Sequence, residues 1–305
     1  LNRLEVRLGK LTLKNPVMTA SGTAGYGEEL SEFYDLSKLG AFVLKGISLK
    51  PWAGNPPPRI TETPCGMINA IGLQNVGLKA FLEEKLPFIR KFDVPAIANI
   101  LGNTEGEYEK LASSLDEAGV EGIELNVSCP NVKKGGLSFG IDLKAFTRLI
   151  RKVRGSVKKP LLIVKLSPGA PDICEFARAA EAEGADALSL INTVPAMAID
   201  INTRRPSIKN TVGGLSGPAI KPIAVRMVYQ ASKAVRIPVI GIGGIMTGED
   251  AVEFVLAGAT AVAVGTATFL DPKAPLEVVE GIEAYMDRHG VGRVSELVGG
   301  LVLDA

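Results

Sequence analysis

Histidine is almost missing from this sequence: His289 is the only one in 305 residues, and it lies in a charged segment near the end. Acid–base chemistry, if the chain performs any, therefore falls to Cys, Ser, Lys, Tyr or a carboxylate. Cysteine is nearly as scarce. Cys65, Cys129 and Cys174 are widely spaced, and no CxxC pair occurs. An odd, sparse set argues against a disulfide framework and for a reducing, cytoplasmic setting. It also offers no ligand set for zinc or an iron–sulfur cluster within this chain. No apolar run is long enough to span a bilayer without a Gly or charge interruption, and no secretory signal is expected. Neither sign of charge dominates. The net charge of +1 gives no pointer to nucleic acid or an acidic membrane, and Lys158-Lys159 and Arg204-Arg205 read as solvated surface. A Gly-x-Gly-x-x-Gly between a first strand and helix is also lacking, which counts against an open, doubly wound sheet.

What is present is a regular alternation. Leu4, Val6 and Leu8, then Leu11 and Leu13, flank Gly9-Lys10 and predict a short N-terminal β-hairpin. Short apolar runs follow at Val17–Ala20, Ala41–Leu44, Ala96–Ile100, Gly122–Val127, Leu161–Leu166, Ala187–Ile191, Val239–Ile242 and Ala261–Val264. They are apolar on both faces, as parallel strands covered by helices should be. Between them, 78–92, 105–118, 142–157, 173–183, 219–235, 248–257 and 276–287 repeat apolar residues at helical spacing. About eight βα units predict an α/β fold, a closed (β/α)8 TIM barrel. No linker or composition shift divides the chain, so residues 1–305 read as a single domain. Two long connections, 46–76 and 192–218, follow strand ends and are expected to rise over the barrel mouth.

Polar or glycine residues recur where these strands end: Ser21, Lys45, Asn99, Asn126, Lys165, Asn192-Thr193, Gly243-Gly244 and Gly265-Thr266. A single case would be a turn or helix cap. Their repetition around one rim describes a ligand cavity. The late glycine pairs suit a phosphate, held by backbone N–H groups and helix N-termini, although tight turns would also use them. Lys45 and Lys165 lie in or beside apolar strands, where a lysine is costly unless it meets an anion, and snorkelling to the rim is the plainer alternative. Asn99, Asn126, Asn69, Asn131 and Asn192 offer amides to a planar heterocycle, though Asn also favours turns. Cys65 and Cys174 read as small buried hydrophobes. Cys129 instead leaves the fourth strand among polar residues, just before Pro130, as a general base or nucleophile, with Gly135-Gly136 as a hinge.

The chain also resembles the dihydroorotate dehydrogenases along nearly its whole length. The motifs are Ala20-Ser21-Gly22, Gly54-Asn55-Pro56-Pro57-Pro58-Arg59, the segment 69–75 beginning Asn69-Ala70-Ile71-Gly72-Leu73, and Glu124-Leu125-Asn126-Val127-Ser128-Cys129-Pro130-Asn131. Val164-Lys165-Leu166-Ser167-Pro168, the segment 216–222 and Gly241-Ile242-Gly243-Gly244-Ile245 complete the set in order. The resemblance implies FMN at the mouth of the barrel and oxidation of dihydroorotate to orotate in pyrimidine biosynthesis. A base would take a proton from C5 while hydride passes from C6 to flavin N5. By match of motif that base is Cys129. Lys45, Asn69, Ala70, Ile71, Gly72, Leu73, Asn126, Asn192 and Thr193 would hold the substrate. Ser21, Lys45, Gly46, Asn99, Asn126, Lys165, Ile191, Gly217, Gly243, Gly244, Gly265 and Thr266 would hold FMN. A cysteine base, with no membrane-associating extension expected, resembles the cytosolic class. The wording of 69–74 and 213–222 is most like its NAD-linked form, whose homodimeric catalytic subunit pairs with an iron–sulfur flavoprotein carrying FAD and a [2Fe-2S] cluster. A fumarate-using homodimer, or another flavin barrel acting on dihydropyrimidines, is the alternative. A non-redox phosphate-binding barrel would use the glycine pairs but leave Lys45, Lys165 and Cys129 unexplained.

Overall fold

The computed structural model describes residues 2–127 and 139–303. Eight parallel strands form one sheet: Val17–Thr19, Phe42–Val43, Ala96–Ile100, Gly122–Asn126, Leu161–Lys165, Ala187–Leu190, Val239–Ile242 and Ala261–Val264. Each lies beside its sequence neighbour, and the eighth pairs with the first. The seam between the first two strands closes with a Met18–Ala41 bridge. There the Thr19 hydroxyl substitutes for the backbone ladder, accepting the Val43 N–H at 2.9 Å and donating to the Val43 carbonyl at 3.2 Å. The predicted (β/α)8 barrel is the fold observed. Its strands are buried throughout, because helices cover one face and the barrel interior the other.

Local chemistry starts these helices where the pattern predicts. Thr104, Asp142 and Asp172 cap 105–118, 143–156 and 173–182 by accepting first-turn N–H groups. Thr247 and Asp250 form a reciprocal capping box at Gly248–Leu256. The expected 78–92 helix runs over 77–89 with a π-helical stretch at Phe81–Lys85, just ahead of Pro87, which has no N–H to give to the preceding turn. After the first strand comes only Glu28–Ser31 and a 3-10 turn at Leu36–Lys38, too short to show periodicity in sequence. The N-terminal hairpin forms as expected, Val6–Leu8 against Leu11–Leu13. Its tip, Gly9, packs against Leu161 at the start of the fifth strand, which puts the hairpin under the N-terminal end of the barrel.

The two long connections are not irregular loops. They meet in a four-stranded antiparallel sheet, ordered Val194–Ala196, Gly213–Ser216, Gly66–Asn69, Ile60–Thr63. Asn69 pairs with both Gly214 and Ile60. A smaller hairpin, Ile199–Asp200 with Arg205–Pro206, extends from the same segment. This sheet corrects the reading of Cys65 as a buried hydrophobe: Cys65 lies in the turn joining two of its strands and is exposed. Cys174 is half-buried, with its thiol 3.5 Å from the Gln230 carbonyl oxygen.

Candidate active site

A cavity of about 780 Å³ opens at the C-terminal ends of the barrel strands, walled on one side by the added sheet. That size suits a cofactor and a small substrate together. Every described residue assigned to the site from sequence borders it; Cys129 lies outside the described residues, as do Ser128, Pro130, Asn131, Gly135 and Gly136. Ser21 comes from the first strand end, Lys45 and Gly46 from the second, Asn99 from the third, Asn126 from the fourth and Lys165 from the fifth. Ile191, Asn192 and Thr193 follow the sixth, Gly243 and Gly244 the seventh, Gly265 and Thr266 the eighth, and Gly217 leads into the helix at 221–234. Asn69 through Leu73 reach the cavity from the added sheet.

The floor is a polar cluster carried on adjacent strands. Strand alternation turns Glu124 and Asn126 to the same side, and pairing sets Asn99 beside Glu124 and Lys165 beside both Asn126 and Ser189. Asn99 Nδ2 donates to Glu124 Oε2 at 2.5 Å, and Ser189 Oγ donates to Oε1 at 2.7 Å. Lys165 Nζ stands 3.7 Å from Oε2. Asn99 Oδ1 is buried and has no partner among the described residues. An orphaned buried acceptor is costly in a finished protein interior, so its presence at a cavity wall marks a place where a ligand donates. Tyr108 ties the helix behind to this floor, donating from its hydroxyl to the Asn126 carbonyl at 2.8 Å.

The rim is held by a second set of contacts. Asn55 donates from Nδ2 to the Ala70 carbonyl and from its backbone N–H to Ile71. Arg59 reaches the Asn55 carbonyl and Gln74 Oε1. These fix the turn in which Gly72 and Leu73 both have left-handed backbone, φ 75° and 58°. For a leucine that conformation costs roughly 1–2 kcal/mol. Burial holds the Lys45 ammonium below the usual lysine range, and the nearby Arg59 charge adds to that effect. Asn69 Nδ2 reaches the Gly214 carbonyl, and Asn192 Oδ1 accepts the Thr193 N–H. Opposite, Thr266 donates to Ser216 across the mouth. At Gly244, φ is +76° and a Cβ would lie 2.8 Å from both the Gly217 carbonyl oxygen and Lys221 Cβ, so only glycine fits. Lys221 itself is engaged by Asp250 and Glu253, whose bonds raise its pKa.

Sequence reasoning gave no role to Arg59, Gln74, Asn55, Ser216 or Glu124. All five were visible only as motif letters. Glu124 could have been found from its position: a carboxylate two residues before Asn126, inside an apolar strand, needs buried donors.

Fold and site together define a (β/α)8 barrel whose polar-lined cavity sits at the C-terminal mouth, the place where barrel enzymes carry out their chemistry. A profile described as dihydroorotate dehydrogenase matches residues 3–286, and the chain belongs to that family. It is 58% identical over 299 residues to a Trichlorobacter lovleyi protein named dihydroorotate dehydrogenase B (NAD(+)), catalytic subunit, with 98% of each chain covered. A protein of the same name from Thermoanaerobacter sp. is 55% identical over 301 residues, covering 99% of each. Among solved structures, the Eimeria tenella dihydroorotate dehydrogenase crystallised with ferulenol shares the fold, with a TM-score of 0.81 at 24% identity, over 98% of this chain and 88% of that one.

Proposed function

We propose that this protein oxidises (S)-dihydroorotate to orotate in de novo pyrimidine biosynthesis, using FMN held at the barrel mouth. The reaction rests on the near-full-length identity to proteins named for it. The observation that carries the cofactor is the unpartnered Asn99 Oδ1 beside Lys165 in a cavity large enough for both ligands. When bound, FMN supplies the hydride acceptor. Asn99 and Lys165 meet its polar ring edge. Gly217, Gly243, Gly244, Gly265 and Thr266 take its phosphate, with Ser21, Gly46, Asn126 and Ile191 along its length. Lys45, Asn69 to Leu73, Asn126, Asn192 and Thr193 hold the substrate ring and carboxylate, and Cys129 accepts the C5 proton. Residues 1–305 act as one domain in this reading.

The relatives' name, a catalytic subunit linked to NAD(+), supports a further step. Two copies of this chain would pair with an iron–sulfur flavoprotein that carries FAD and a [2Fe-2S] cluster and passes electrons to NAD⁺, in the cytoplasm. Among the described residues, no helix is long and apolar enough to cross a membrane. Purified protein should be yellow and should bleach with dihydroorotate in the absence of oxygen. A colourless protein that takes up no FMN refutes the cofactor. A yellow one that dihydrouracil bleaches and dihydroorotate does not refutes the substrate. Isolation from the host should recover the second subunit, whereas a lone dimer active with fumarate refutes the NAD-linked assignment.

A further inference from the structure

Glu124 does not border the cavity, yet two of the groups on its floor are turned by it. The residue is 2% exposed, and its two carboxylate oxygens accept from Asn99 Nδ2 and Ser189 Oγ. A carboxylate can only accept. It therefore decides which way the Asn99 amide faces: Nδ2 goes to Glu124, and Oδ1 is left as a buried acceptor at the cavity wall. Gly46 lies against Oδ1, and a Cβ there would come within 2.6 Å of it. The same carboxylate draws Lys165 to 3.7 Å, near enough to hold its charge in a buried site and too far to take up its N–H groups. One acidic side chain thus presents an acceptor and a cationic donor next to each other.

We propose that Glu124 is a positioning residue that fixes the donor–acceptor polarity of Asn99 and Lys165 toward the pyrimidine edge of the flavin. This rests on the FMN reading above. The oxidised isoalloxazine has a single ring N–H, the imide at N3, flanked by carbonyl oxygens. Asn99 Oδ1 accepts from that N–H, and Lys165 donates to the acceptor side of the same edge. The orientation is enforced before the cofactor arrives, because the reversed amide would set its Oδ1 against the Glu124 carboxylate.

The test is an absorbance titration of N3–H ionisation in the FMN-loaded protein, compared with Glu124→Gln, Asn99→Ala and the double variant. Glutamine brings its own N–H donors, so the Asn99 amide is free to reverse. Loss of the acceptor should make N3–H ionise at lower pH in each single variant, by about tenfold in the ionisation constant. The double variant should fall short of the sum of the two, because Glu124 acts through Asn99. Ser189→Ala, which touches Glu124 and not Asn99, should titrate as wild type. Unchanged ionisation in Glu124→Gln, or fully additive shifts, overturns the proposal. Should Glu124→Gln not fold, Asn99→Ala alone decides: wild-type ionisation there overturns it, and a lowered value beside a wild-type Ser189→Ala supports it. A wild-type protein that takes up no FMN overturns the cofactor reading instead, a result visible before any titration begins.

Discussion

Replacing Lys165 with methionine removes one charge of the buried pair on the cavity floor and nearly conserves volume. Lys165 is 5% exposed and Glu124 2%, so neither charge is relieved by water. At 3.7 Å and an effective dielectric of about 20, their attraction is about 4.5 kcal/mol. The loss does not reach that figure, because a lone buried carboxylate can take a proton instead. Asn99 and Ser189 still donate to Glu124 and reduce the loss further. Lys165→Met should therefore destabilise the cofactor-free protein by about 2–4 kcal/mol at pH 7, read as a lower urea midpoint at unchanged slope. Glu124→Gln leaves a lone lysine and should lose a similar amount. The double variant keeps an acceptor for Asn99 and Ser189, is neutral, and should recover to within about 1 kcal/mol of wild type. A double variant as unstable as the sum of the singles would refute the pairing.

Gly244→Ala should lower FMN affinity at least tenfold, measured by flavin fluorescence, because a Cβ at φ +76° meets the Gly217 carbonyl and Lys221; wild-type affinity would remove the glycine turn from the phosphate site. Orotate binding should be strongest at low pH and weaken as pH rises through the lowered Lys45 value, since only the ammonium pairs with a carboxylate; in Lys45→Met this limb should vanish, and a persisting limb assigns it elsewhere. Cys129→Ala should keep FMN bound while slowing its reduction by dihydroorotate by about 10²–10⁴-fold in stopped-flow absorbance, and an unchanged rate excludes Cys129 as the proton acceptor.

The barrel was legible because each strand and its helix carry their own local signal. Leu161–Lys165 is a short, largely apolar run buried along its whole length, and Glu105–Ala118 has a threonine cap at one end and Gly119 at the other. The added sheet was not legible. Its central pair joins Asn69 to Gly214, 145 residues apart, and strands of four residues or fewer with glycines leave little alternation to read. The rim residues were visible because a polar residue at the end of an apolar run is conspicuous. Glu124 stands inside such a run, where a carboxylate is itself a signal, but its role was not legible because it depends on Asn99, Lys165 and Ser189 on three other strands, which come together only when the barrel closes. Cys65 was misread because its exposure follows from a turn in the sheet that the sequence did not reveal.

Anaerobic titration of the purified, FMN-loaded protein with dihydroorotate tests the central claim most directly. The flavin absorbance should bleach with one equivalent of orotate formed per flavin reduced. Flavin that stays oxidised in the presence of dihydroorotate, in protein that has demonstrably bound FMN, would contradict it.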